Sequence, residues 1–184
     1  IAGAPTYIGD FDANACIWIK TSNVTFDCNG SEIIGDGTPF PPPGGGTATI
    51  AIYDPTPGAV TNVTIKNCRV SNYSYGYALV TVMSSDGFIY NNTFNDNYGG
   101  VMLYVSSNNN LIENNSIYNN AGGGGLFIDG SNGDCTGNNI TNNTVYSNID
   151  GIRVDSATAN NFLRNTIHSS TGLIGDNAGF GYYI

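Results

Sequence analysis

Polar and apolar residues alternate along this chain in short bursts. "NVTIKN" (62–67) and "GIRVDS" (151–156) change character at nearly every residue and are rich in β-branched side chains. Gly, Asn and Ser interrupt the bursts every few residues. No window of helical length carries a 3.6-residue period, and the 27 asparagines disfavour helix further. The pattern predicts many short strands joined by tight turns.

The bursts also repeat. Asparagine phrases such as "NNTFNDN", "NNSIYNN" and "NNTVYSN" align on a central apolar residue, giving the anchors Ile33, Val70, Phe94, Ile117, Val145 and Ile167. From Val70 onward the anchors lie 24, 23, 28 and 22 residues apart. Five positions before each anchor stand Cys28, Ile65, Ile89, Ile112, Ile140 and Phe162, an apolar column. Two before it stand Ser31, Cys68, Asn92, Asn115, Asn143 and Asn165. A unit of about 23 residues with three short strands is one turn of a parallel β-solenoid, each turn lying about 4.8 Å above the last. Asn suits such corners because it tolerates left-handed backbone and its amide can bond to the amide stacked above it. The expected fold is all-β, a single domain over residues 1–184. About six coils run from 14 to 178, a Pro/Gly-rich insertion occupies 36–47, and a strand-like tail covers 179–184.

The segments "NVTFDCNGSEIIG", "NVTIKNCRVSN" and "NNLIENNSIYNN" resemble the repeats of secreted right-handed parallel β-helix proteins. The resemblance is to the pectate-lyase-like superfamily in its NosD-like, Asn-rich form, common in archaeal and bacterial surface proteins, and it covers roughly residues 14 to 170. It implies right-handedness and an extracellular or cell-surface location. Enzymes of this kind act on acidic polysaccharides, with clustered Asp residues for hydrolysis or with Arg, Lys and often calcium for β-elimination.

Composition narrows the function classes. Five Lys and Arg against fourteen Asp and Glu give a net charge of −9, which argues against nucleic acid and anionic lipid as partners. Apolar runs such as "VMLYV" are strand-sized, so no transmembrane helix is expected. The start at Ile1 is what a processed secreted chain would show, as would a trimmed one.

Four cysteines lack C-x-x-C spacing, and the single His168 is too few for a zinc set, so no metal site or cofactor is expected and an oxidising compartment is. A Cys16–Cys28 disulfide is the easier pairing, since Cys28–Cys68 would need unusual register. Eight sequons begin at Asn23, Asn29, Asn62, Asn72, Asn91, Asn114, Asn139 and Asn142. They are either N-glycan acceptors in a stripe or simply turn residues followed by strand threonines.

Asp129 and Asp155 should share one outward column on successive coils, with Arg153 beside them. The pair could serve as acid and base, or bind calcium with the loop "DGSNGD"; otherwise it is a solvated acidic face. Trp18, Tyr53, Tyr104 and Phe127 are candidates to stack on sugar rings. Met83, Met102 and His168 are too few soft ligands for a copper site. Glu32 and Arg69 should form an intercoil ion pair. Neither terminus shows an amphipathic capping helix, which points to a structural homo-oligomer or filament built by head-to-tail stacking. A polysaccharide-binding or polysaccharide-cleaving domain is the alternative.

Overall fold

The computed structural model describes residues 15–37, 47–54, 60–170 and 172–175. The loop at 38–46 and the tail at 179–184 therefore lie outside the described residues.

The first coil comprises β1 (Ala15–Ile19), β2 (Thr25–Asp27) and β3 (Glu32–Ile34). The second holds β4 (Thr47–Ile52), β5 (Val60–Thr61), β6 (Thr64–Lys66) and β7 (Arg69–Ser71). The third adds β8 (Gly76–Val82), β9 (Ser84–Ser85), β10 (Phe88–Tyr90) and β11 (Thr93–Asn95). The fourth is β12 (Gly99–Tyr104), β13 (Leu111–Glu113) and β14 (Ser116–Tyr118). The fifth is β15 (Gly124–Asp129), β16 (Asn139–Thr141) and β17 (Thr144–Tyr146). The sixth is β18 (Asp150–Asp155), β19 (Asn161–Leu163) and β20 (Thr166–His168), and β21 (Gly172–Gly175) opens a further turn.

Stacking these turns makes three parallel sheets. The first runs β1-β4-β8-β12-β15-β18-β21, the second β2-β6-β10-β13-β16-β19 and the third β3-β7-β11-β14-β17-β20, with β5 and β9 forming a small extra pair. The predicted columns are present: Ile65, Ile89, Ile112, Ile140 and Phe162 are successive partners in the second sheet. Val70, Phe94, Ile117, Val145 and Ile167 are successive partners in the third. In the middle coils these side chains are completely buried. A single turn has no core of its own; the hydrophobic free energy comes from piling turns, so each coil is stabilised mainly by its two neighbours.

The first coil departs from the expected register. Phe26, not Cys28, pairs with Ile65. Four residues (28–31) separate β2 from β3, where two (67 and 68) separate β6 from β7. This two-residue excess moves Cys28 out of the apolar column and into the corner, where its sulfur bonds to that of Cys68 with a Cα separation of 4.8 Å. The expected Cys16–Cys28 disulfide is thus replaced by Cys28–Cys68, and Cys16 and Cys135 are free thiols.

Corners turn through left-handed residues. Asn67, Asn91, Asn114 and Asn142, all three positions before an anchor, have φ between 53° and 56°. Asparagine reaches this region at lower cost than most residues.

Candidate functional surfaces

The most regular feature of the molecule is internal. At three corners, asparagines stack in ladders, all of them buried except the partly buried Asn165: Asn92, Asn115, Asn143 and Asn165; Asn97, Asn120 and Asn148; Asn110, Asn138 and Asn160. Each Oδ1 accepts from the preceding coil. Asn115 Oδ1, for example, accepts from both the backbone N–H and Nδ2 of Asn92 at 3.0 Å. Each Nδ2 donates back to a carbonyl of the preceding coil, as Asn115 does to Ile89 at 2.8 Å. Only the first of these ladders was apparent from the asparagine phrases. The other two also hold fixed positions, three after and seven before the anchor, a signal available in the sequence.

From rung to rung the ladders have one polarity: the backbone N–H points toward the C-terminal end of the solenoid and Oδ1 toward the N-terminal end, while an Nδ2 hydrogen points back to the preceding coil. The first ladder stops at Cys68, whose N–H donates to Asn92 Oδ1 at 3.0 Å, and the disulfide occupies the next corner. The second stops at Tyr73 and the third at Gly87, whose N–H groups donate to Asn97 and Asn110.

The outer face of the first sheet carries the candidate catalytic residues. Asp129 and Asp155 are direct partners on β15 and β18, and Arg153 is two residues from Asp155 on the same strand. Arg153 is hydrogen-bonded and ion-paired to Asp155, which raises the guanidinium pKa. It also lies 4.7 Å from the Phe127 ring centroid. Asp129 Oδ1 accepts the Ser131 N–H at 2.9 Å. The two carboxylates are therefore in register, but one is held by a guanidinium and the other caps a turn.

The loop proposed for calcium is engaged in protein contacts. Asp134 accepts from Thr158 Oγ1 at 3.0 Å, and Asn132 Nδ2 donates to Tyr104 Oη at 2.7 Å. Among the described residues no three His, Cys, Asp or Glu side chains converge as a metal site. Met83 and Met102 pack against the apolar cluster on this face.

Of the aromatic candidates, Tyr53, Tyr104 and Phe127 are buried, and only Trp18 keeps substantial exposure, 37%. Its ring stacks on Tyr53 at 6.1 Å, its Nε1 donates to the Tyr53 carbonyl at 2.7 Å, and Lys20 Nζ sits 3.7 Å from its centroid.

The third sheet holds a stack that includes His168 and that the sequence reading missed. Tyr118, Tyr146 and His168 are register partners whose rings lie 4.8 and 5.1 Å apart and within 11° of parallel. Most of their faces are spent on one another, so this column is a poor platform for sugar rings, which stack on faces. One position after the anchor, these three aromatics were a visible column.

All eight sequon asparagines are exposed. Seven of them, all but Asn139, have positive φ and so sit at turns that project from the solenoid. Glu32 and Arg69 are partners as expected, yet the ion pair does not form: Glu32 Oε1 accepts from Ser71 Oγ at 2.9 Å. The described intercoil ion pair is Lys66 with Asp27, at 3.3 Å.

A family model described as a right-handed β-helix region matches residues 10–170. No curated protein matches the chain.

Proposed function

The chain belongs to the right-handed β-helix family, and from that membership we propose a structural role outside the cell: a glycosylated β-solenoid subunit of a surface filament, sheath or layer whose copies join through their ends. The observation that carries this reading is the contrast between the first and second described coils. Ile50, Ile65 and Val70 of the second coil are fully buried, while Ile17, Phe26 and Ile33, their partners in the first, are only partly buried. A turn left half-covered gains free energy by receiving another surface, as a fully covered turn does.

The acidic, Asn- and Thr-rich exterior and the exposed sequons support an extracellular setting. The test is electron microscopy of the purified protein with an intact mass from a glycosylating host. Ordered assemblies and a mass raised by glycan increments are expected; discrete single particles at high concentration and an unmodified mass would overturn the proposal.

The register of Asp129 and Asp155 favours a second reading, a polysaccharide-binding or polysaccharide-cleaving domain. Loss of polysaccharide degradation in Asp129→Asn and Asp155→Asn would establish it.

A further inference from the structure

Stacked coils set like over like, so a reactive side chain repeated in one column meets its own kind. In the column one position after the anchors, β14 contributes Tyr118 and β17 contributes Tyr146 as direct partners. Their phenol rings stack with centroids 4.8 Å apart and planes within 11° of parallel. Both residues are half-buried, so each keeps contact with solvent.

The backbone beneath this pair is pinned on either side. Before it, Asn115 gives its N–H and an Nδ2 hydrogen to Asn143 Oδ1, each at 3.0 Å. After it, Asn120 gives the same two donors to Asn148 Oδ1, also at 3.0 Å. The strands cannot slip past one another without breaking these rungs, and the freedom that remains is in the side-chain torsions. Two reactive groups held in this way meet far more often than they would in solution.

Other tyrosines are placed differently. Tyr77 and Tyr98 meet edge to face at 6.1 Å, and the Tyr77 hydroxyl is committed to the Gly123 carbonyl at 3.0 Å. Tyr53 and Tyr104 are buried. Tyr90, on the second sheet, has Lys66 and Glu113 as its register partners.

We propose that Tyr118 and Tyr146 form a modification site, where one-electron oxidation joins the two rings into an intramolecular dityrosine that staples the fourth coil to the fifth. The oxidant is hydrogen peroxide acting through a haem peroxidase, which removes one electron and one proton from each phenol. Each phenoxyl radical carries unpaired spin on the carbons ortho to oxygen, and one such carbon from each ring forms the new C–C bond. The two displaced ring hydrogens leave as protons while both oxygens take protons up, restoring two phenols. The net loss is two hydrogens, which reduce the peroxide to two waters. Bonding requires the rings to tilt from parallel, a motion of the torsions that the pinned strands leave free. The pair belongs to one folded chain, so the cross-link forms whether or not copies assemble. It would add a second covalent link between coils to that of Cys28 with Cys68.

The experiment exposes the dilute full chain to hydrogen peroxide and a haem peroxidase, then separates monomer from covalent multimers under denaturing, reducing conditions. The monomer should show the blue fluorescence of dityrosine and yield a peptide pair joined from Tyr118 to Tyr146, two hydrogens lighter than the sum of its parts. Tyr118→Phe and Tyr146→Phe each keep a ring in the stack but remove the oxidisable hydroxyl. Either should lower the monomer fluorescence roughly tenfold or more without moving the melting temperature, whereas Tyr98→Phe should leave the fluorescence unchanged. No dityrosine in the monomer, under conditions that couple free tyrosine in a parallel reaction, overturns the proposal. A cross-link that maps to another pair, to His168 or only between chains also overturns it, as does monomer fluorescence that survives Tyr118→Phe. A protein that stays monomeric yet forms the Tyr118–Tyr146 link supports the proposal and counts against the assembly reading alone.

Discussion

Replacing Asn115 with Leu tests whether the ladders hold the coils together. Asn115 is 1% exposed and its side chain takes part in four hydrogen bonds, two accepted from Asn92 and one donated to each of Ile89 and Asn143. Leucine is similar in size but removes all four. Asn143 Oδ1 keeps its bond from the Asn115 backbone, which leaves three groups orphaned: the Asn92 N–H, one Asn92 Nδ2 hydrogen and the Ile89 carbonyl. At about 1–3 kcal/mol for each buried unpaired group the ceiling is about 9 kcal/mol. Local relaxation will lower this, so we expect about 4 kcal/mol, a large share of the ~5–15 kcal/mol that holds a typical domain folded. The assay is urea unfolding, where a slope of about 2 kcal/mol per molar places the midpoint about 2 M lower. The control is Asn114→Gly in the same corner. That residue is exposed with φ 53°, which glycine adopts freely, and the change should stay within about 0.5 kcal/mol. Equal midpoints for the two variants would refute the ladder argument.

Removing the disulfide in a Cys28→Ser, Cys68→Ser double variant opens a closure across 40 residues, and chain entropy sets the loss at about 4 kcal/mol or less, read from the same urea curves. Burial pushes the Cys135 thiol up to about 11 from 9.0, so iodoacetamide near pH 9 should label Cys16 in the native protein and Cys135 only after unfolding. The unfolded thiol ionises first, so Cys135 should lower stability as pH rises from about 9 to 11, and Cys135→Ala should flatten that part of a stability–pH profile. Hydrogen bonds from the Asn67 side chain and the Asn29 N–H, then Lys66, hold the Asp27 carboxyl below its ordinary 3.8. Its depressed folded pKa means that its contribution is present above that value and lost as pH falls through the folded one, so protection of the Asn29 amide relative to its intrinsic exchange rate should fall in strong acid and hold at neutral pH.

The fold was legible because the solenoid repeats its demands. Ile65, Ile89, Ile112 and Ile140 recur for the same reason that each is buried: every turn places a side chain at that point of the interior. The first coil was misread where its spacing changed, since a constant five-residue offset put Cys28 in a column that Phe26 occupies, and the disulfide assignment failed with it. Two inserted corner residues leave the alternation on either side intact, so no local pattern reveals them. Side-chain contacts across coils were harder still. Glu32 and Arg69 share a column, yet the nearer Ser71 hydroxyl takes the carboxylate, a choice decided by rotamers rather than register. Asp129 and Asp155 came out as neighbours, while Arg153 binding one of them could not be read from spacing alone. Tyr53, Tyr104 and Phe127 were credited to an open sugar-binding face, whereas Tyr53 and Tyr104 are buried in an apolar layer over the first sheet and Phe127 is buried beneath Arg153.

One-way ladders also bear on how such a chain can change length. Because every rung hands its backbone N–H to the rung that follows and an Nδ2 hydrogen to the coil before, a whole turn copied or deleted between Asn92 and Asn165 would leave the rungs on either side matched, whereas a partial turn would break three columns at once. Genetic duplication is thereby tolerated only in integral steps, in the middle of the molecule, with the bridged first corner left as a fixed starting block.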